Sequence, residues 1–217
     1  MCGIIGFQGI ATPANISSIK DILLQLSYRG SYATGISYSL DGSNITTIKE
    51  KINAKNFLEK YNLDVLLTIG SELCLIGHTR YKTSGECNQP FHYLGGSIVM
   101  DGVIDQSDHL LWNSKYGSYF MGDNDVELLY QFMSGIFNNT EALSSEVDSA
   151  SWAFVSIEKE LVSGAYKLVY GRNSRRPLWA SEENGLFICS TEDAFNRCGK
   201  INSYRVKPIG GQEDLQI

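Results

Sequence analysis

The chain has 217 residues, 43% hydrophobic and 19% charged, a composition that can build a core and is too rich in aromatics for a disordered segment. Eighteen Lys and Arg against 24 Asp and Glu give a formal charge of −6, with no basic cluster, which excludes a nucleic-acid scaffold. No apolar run is long enough to span a bilayer, and no charged n-region precedes Lys20, so neither a membrane span nor a secretory leader is expected.

Gly3 to Gly9 reads as a short buried strand, and Ile16, Ile19, Ile22, Leu23 and Leu26 follow at helical spacing with Gly30 as a stop. Ala33 to Leu40, the turn Asp41-Gly42-Ser43 and Asn44 to Lys49 predict a hairpin. A helix over about 55–67 leads into a strand from Leu73 to His78, and Ser97 to Ile104 predicts another strand. Val126, Leu129, Tyr130 and Met133 mark a helix with Asp123 or Asp125 as its N-cap. Strands are predicted at 151–157, 166–170, 177–180 and 186–190, with turns at Gly164 and Asn184-Gly185. A short helix capped by Thr191 follows, to Arg197. Hairpins with helices grouped between them predict an antiparallel α+β layer structure. With no repeat and no linker, one domain over residues 1–217 is expected, without an acceptor or synthase domain.

The cysteines, Cys2, Cys74, Cys87, Cys189 and Cys198, are odd in number and scattered without a C-x-x-C. That argues against a disulfide framework or a structural zinc site and suits a reducing cytoplasm. Cys74 and Cys189 lie in apolar runs and read as core. His78 and His92 are too sparse for a metal centre, and Gly95-Gly96 and Gly210-Gly211 fit neither G-x-G-x-x-G nor a P-loop. No metal or cofactor is expected.

Cys2 differs by its position. Removal of Met1 would make it the N-terminal residue, with a nucleophile and a base on neighbouring atoms: the thiol, and an α-amine whose reference pKa is ~7.7–8.0. Further segments accompany it: Met1-Cys2-Gly3-Ile4-Ile5-Gly6, Tyr28-Arg29-Gly30, His78-Thr79-Arg80-Tyr81-Lys82-Thr83-Ser84-Gly85, Asn88-Gln89-Pro90-Phe91-His92, Asp101-Gly102-Val103-Ile104, Asn124-Asp125-Val126-Glu127 and Arg176-Pro177-Leu178. In this order they closely resemble the class II, N-terminal-nucleophile glutamine amidotransferase domain, the amidotransferase half of glucosamine-6-phosphate synthase in particular.

The resemblance implies a four-layer αββα sandwich and hydrolysis of L-glutamine to glutamate and ammonia through a thioester. Carried over residue by residue, it makes Cys2 the nucleophile and sets Arg29 near it. Arg80 matches the residue that holds the substrate carboxylate, where a guanidinium fork suits a planar anion. Thr83 matches a polar substrate contact, Asp125 the acid that takes the substrate ammonium, and Gly102 a backbone donor of the oxyanion hole. The implied partners are glutamine and a protein or domain that accepts the ammonia.

Two positions depart from the family pattern. Asp101 stands where the family has Asn; an ionised Asp only accepts, and losing one oxyanion donor costs on the order of 10²–10³ in rate. Tyr32 replaces the Asp of Tyr-Arg-Gly-x-Asp, which predicts an Arg29 without its acid. Tyr81 for Trp and Asn173 for Asp are milder changes. Asp101 and Tyr32 keep two alternatives open: a binding protein of this fold without turnover, and a hydrolase of another γ-glutamyl amide.

Overall fold

The computed structural model describes residues 1–83, 85–117, 119–134, 140–199 and 202–209; Ser84 and Gly210-Gly211, named above, lie outside them. Two antiparallel sheets stack face to face. The larger runs β11-β9-β10-β1-β4-β2-β3, from strands β1 (Gly3–Ile10), β2 (Ala33–Leu40), β3 (Thr46–Glu50), β4 (Glu72–Arg80), β9 (Trp179–Ser181), β10 (Leu186–Cys189) and β11 (Ser203–Arg205). The smaller runs β5-β6-β7-β8, from β5 (Phe91–Tyr93), β6 (Gly96–Val103), β7 (Ser151–Lys159) and β8 (Tyr166–Arg172).

Ile4 and Ile76 of the first sheet meet Val99, Ala153 and Val155 of the second in a core between the sheets. The outer face of the larger sheet is covered by α1 (Pro13–Leu26), α2 (Ala54–Lys60), α3 (Leu63–Leu66) and α7 (Glu192–Arg197), through Ile19, Leu23, Phe57, Leu63 and Phe195. On the smaller sheet lie α4 (Trp112–Tyr116), α5 (Val126–Ser134) and α6 (Thr140–Ser149), packing Trp112, Leu128, Leu129 and Leu143 on Met100 and Phe154. The chain is therefore the α+β, four-layer αββα sandwich that the resemblance implied.

Central strands buried on both faces read as continuous apolar runs rather than alternating ones, which is why β1 and β4 are legible in the sequence. Asn184 and Gly185, with φ of 58° and 123°, make the tight link between β9 and β10. The helix expected over 55–67 is two pieces instead. The chain leaves helical geometry at Tyr61, and Asn62 caps α3 by accepting from the Asp64 N–H. Five elements escaped the sequence reading: β5, β11, α4, α6 and a 3₁₀ turn over His109–Leu111.

Register decides what meets at one edge of the sandwich. Gly3 pairs with Thr79 and Ala33 with Arg80, while Val103 pairs with Ser151 and Ala153 with Arg172. The starts of β1, β2 and β7 and the ends of β4, β6 and β8 thus share that edge. Gly30 allows the turn after α1 to press onto it: a Cβ there would lie 2.3 Å from the Arg80 carbonyl carbon.

Candidate active site

Cys2 sits at this edge, half-buried, immediately before β1. Its Sγ donates weakly to the Tyr81 carbonyl at 3.9 Å. Burial pushes its thiol up; the Tyr81 backbone opposes that, and the Asp101 and Asp125 carboxylates add to it. A thiol so placed needs a base beside it to become a nucleophile.

A cavity of about 240 Å³ opens in front of Cys2, with Arg80, Thr83, Gly102 and Asp125 on its walls. Five residues singled out from sequence, spread from position 2 to 125, therefore line one hollow. Grooves of about 520, 540 and 470 Å³ have larger volumes, but the first two, around Glu72 and Glu158, belong to the opposite end of the strands, and the third, between Tyr170 and Tyr204, contains none of these five residues. Gly102 admits nothing larger, since a Cβ would stand 2.3 Å from the Ser151 carbonyl oxygen.

Asp125 accepts the Ile104 N–H at 2.8 Å. Burial raises its carboxyl to about 6, against the pull of that N–H and of Arg80. The cap of α5 is a different residue from either acid expected there: Asn124 Oδ1 accepts from Val126 N–H at 3.2 Å. Asp123, on the wall of the same cavity, holds the rim, accepting from the Glu86 and Cys87 N–H groups at 2.6 and 2.8 Å.

Arg80 is buried and engaged with the same rim. It donates to the Gly85 and Cys87 carbonyls at 2.8 Å each and to Asn88 Oδ1 at 2.7 Å. Its guanidinium also lies 5.6 Å from the centre of the Tyr32 ring. Tyr32 thus belongs with Arg80, and its hydroxyl donates to Glu86 at 3.4 Å.

Arg29 is not short of an acid, contrary to the expectation drawn from Tyr32. Its Nη2 meets Asp101 Oδ2 at 2.7 Å, and its Nε donates to the Cys2 carbonyl at 2.8 Å. Asp101 is wholly buried on β6, and its Oδ1 accepts the Cys2 N–H at 3.1 Å. Arg29 and Asp101 stand behind Cys2, whereas Arg80, Thr83, Gly102 and Asp125 stand before it. Arg176 completes the rear cluster, with Nη1 3.9 Å from Asp101 Oδ1.

His78 is buried on β4 against the same cavity, and burial beside Arg80 pushes its imidazole down to about 3, which keeps it neutral. Among the described residues no group of three or more His, Cys, Asp and Glu comes together in a way that would hold a metal ion. Sequence reading missed Arg176 as a neighbour of Asp101 and missed the rim supports Asp123, Asn124 and Glu127. Glu127 accepts from the Met121 and Gly122 N–H groups at 2.7 and 2.8 Å. An acid three residues after a good capping residue, Asn124, is the one signal that could have pointed to it.

The fold is that of the class II glutamine amidotransferases. The *Bacillus subtilis* glutamine phosphoribosylpyrophosphate amidotransferase, solved with ADP and GMP, superposes with a TM-score of 0.64 at 22% identity over 96% of this chain and 45% of its own. A glutamine aminotransferase class-II domain protein from *Silicibacter pomeroyi* gives 0.52 at 12% identity, over 95% and 92%. No protein-family model matches the chain.

Among sequences, the chain is similar to the glutamine–fructose-6-phosphate aminotransferase (isomerizing) of *Staphylococcus aureus*, 27% identical over 210 residues, 90% of this chain and 31% of that enzyme. The *Synechocystis* enzyme of the same name is 26% identical over 88% of the chain and 32% of its own length. The chain thus spans about a third of the length of these relatives, and the resemblance read from its motifs is to glutamine amidotransferases.

Proposed function

We propose that this chain hydrolyses L-glutamine to glutamate and ammonia, with Cys2 as the nucleophile once Met1 has been removed, and supplies the ammonia to an acceptor protein or domain. The convergence of Cys2, Arg80, Thr83, Gly102 and Asp125 on one cavity carries this reading. In the step we propose, the α-amine takes the thiol proton and Sγ bonds to the amide carbon of the glutamine side chain. The oxyanion forms beside the Gly102 backbone. The amine returns the proton to the leaving nitrogen, the C–N bond breaks and ammonia departs. Water then cleaves the thioester, releasing glutamate and restoring the thiol.

Asp125 is positioned to take the substrate ammonium, which would supply the positive charge its buried carboxylate lacks. Arg80 is offered for the carboxylate; its present bonds to rim carbonyls mean that substrate would exchange with them. The observation favouring a binding protein without turnover is Asp101, a buried acid where a donor was expected.

The test is ammonia release from L-glutamine by protein whose intact mass shows Met1 gone, together with labelling by a diazo-ketone analogue of glutamine. Turnover and an adduct on Cys2 are expected. An adduct confined to Cys74, Cys87, Cys189 or Cys198 would refute the nucleophile. Tight glutamine binding with no ammonia would select the binding reading.

A further inference from the structure

We infer that Asp101 is a positioning residue for the N-terminus: its carboxylate is the seat of the α-amine that Cys2 carries after loss of Met1, and it does not act in the oxyanion hole. This rests on the proposed N-terminal role of Cys2. The geometry is a closed ring. Asp101 Oδ1 accepts the Cys2 N–H at 3.1 Å, Oδ2 accepts Arg29 Nη2 at 2.7 Å, and Arg29 Nε donates back to the Cys2 carbonyl at 2.8 Å. One ion pair therefore grips the residue at both its nitrogen and its carbonyl.

Cutting the Met1–Cys2 bond leaves that grip in place. Gly3, the next residue, is fixed by its pairing with Thr79. Met1 itself is exposed and meets the ring only through an Arg29 Nη2 to Sδ approach of 3.8 Å. The nitrogen is thus held where it lies, against Oδ1.

The ring also accounts for an acid where the resembling family has Asn. Both oxygens of Asp101 face donors. An Asn amide has one acceptor and one donor end, so its NH₂ would confront either Arg29 or, whenever that nitrogen is an amide or an ammonium, the Cys2 nitrogen. A carboxylate is the group that satisfies both. It follows that Asp101→Asn is not a route to a better oxyanion hole.

A buried carboxylate in hydrogen-bond contact with an amine favours the ammonium form and so raises the pH at which the free amine becomes available to take the thiol proton. Among the described residues, the other charged and titratable groups around the site are Arg29 from the turn after α1, Arg176 from the loop after β8, Asp125 ahead of α5, the Cys2 thiol and, on the cavity walls, His78 and Arg80 of β4 with Asp105, Asp108, His109 and Asp123 from the loops and the 3₁₀ turn. The guanidiniums oppose the ammonium and the acids favour it. Asp101 is the acid that touches the nitrogen, and its contact decides the direction. Asp101→Asn should lower the amine's titration midpoint by about one pH unit or more. Arg176→Gln, which removes a cation 3.9 Å from Oδ1, should raise it.

The experiment uses the full chain freed from an N-terminal tag by a protease that leaves Cys2 first, labelled with ¹⁵N-cysteine. The amine nitrogen, well separated in shift from the amide nitrogens of the other cysteines, is titrated by NMR in wild type and both variants. Opposite movements support the proposal. An unmoved or raised midpoint in Asp101→Asn, or movement of both variants in one direction, overturns it. If Asp101→Asn does not fold, Arg176→Gln decides alone: a raised midpoint supports the proposal and any other result overturns it. The readout needs no turnover. A chain that releases no ammonia but titrates as expected sinks the glutaminase reading and keeps this one; an active chain with an unmoved midpoint does the reverse.

Discussion

Asp101 and Glu86 are two acids at one site, each set between two cations, and they differ in what surrounds them. Asp101 is sealed behind Cys2, 2.7 Å from Arg29 and 3.9 Å from Arg176. Glu86 stands on the rim, bonded to Lys51 at 2.7 Å and to Lys82, with its side chain 60% exposed. The lysines hold the Glu86 carboxyl down to about 2. Water can replace either lysine, and salt screens both. Behind Cys2 nothing can take Asp101's place, so the same kind of pairing becomes a fixed part of the architecture.

The largest effect expected from this contrast is on folding. Asp101→Ala leaves the Arg29 guanidinium, itself 18% exposed, without its carboxylate, and should lower stability by about 3–5 kcal/mol. Urea unfolding of wild type and variant measures it. A loss no greater than that of a surface substitution would erase the distinction between the two acids.

Asp125 sharpens the comparison by a third environment, buried and, among the described residues, without an ion pair. Its carboxyl is raised to about 6 in the folded chain, against ~3.9 for an unfolded Asp. Between those values the native state binds more protons than the unfolded one, so stability falls as pH rises through the window and the penalty is complete above it. Asp125→Asn is expected to remove that decline and to be more stable than wild type at pH 7.5, by about 1–3 kcal/mol, while losing affinity for L-glutamine. Melting curves at pH 4 and pH 7.5 check the first expectation, since the gap between the proteins should widen with pH. Calorimetry with L-glutamine checks the second.

The smallest effect belongs to Glu86→Gln. At 0.15 M salt it should leave the unfolding midpoint unchanged within error, with a small loss emerging only as ionic strength is lowered. A large loss at physiological salt would show that the rim acts as a rigid unit rather than as a solvated charge cluster.

Legibility followed burial and chain proximity. The strands of the central layers were readable because Ile4, Ile5, Leu75, Ile76, Val99 and Val155 are buried in short continuous apolar stretches of their strands. α6 was not, because its sequence, TEALSSEVDS, is polar apart from Ala142 and the one-turn pair Leu143 and Val147, which the core buries. α4, at five residues, is too short to show a period. The N-cap of α5 was misplaced because Asn124, Asp123 and Asp125 are all good caps in sequence; the structure gives the cap to Asn124 and turns the two acids toward the rim and toward Ile104.

The sequence by itself determined the cast of the site. Cys2 in second place, with Arg80, Thr83, Gly102 and Asp125 in ordered motifs, pointed to one kind of chemistry through the family resemblance those motifs carry. Tertiary structure decided their relations. Arg29 and Asp101 are 72 residues apart, and nothing local to either indicates the other. They meet because β6 ends and α1 turns at the same edge, where exclusion of water makes their pairing obligatory. The same exclusion raised Asp125, lowered His78, and drew Arg80 onto the rim carbonyls. Charge state and hydrogen-bond partner depend on the solvent a group has lost, and that is a property of the packed layers rather than of the chain's order.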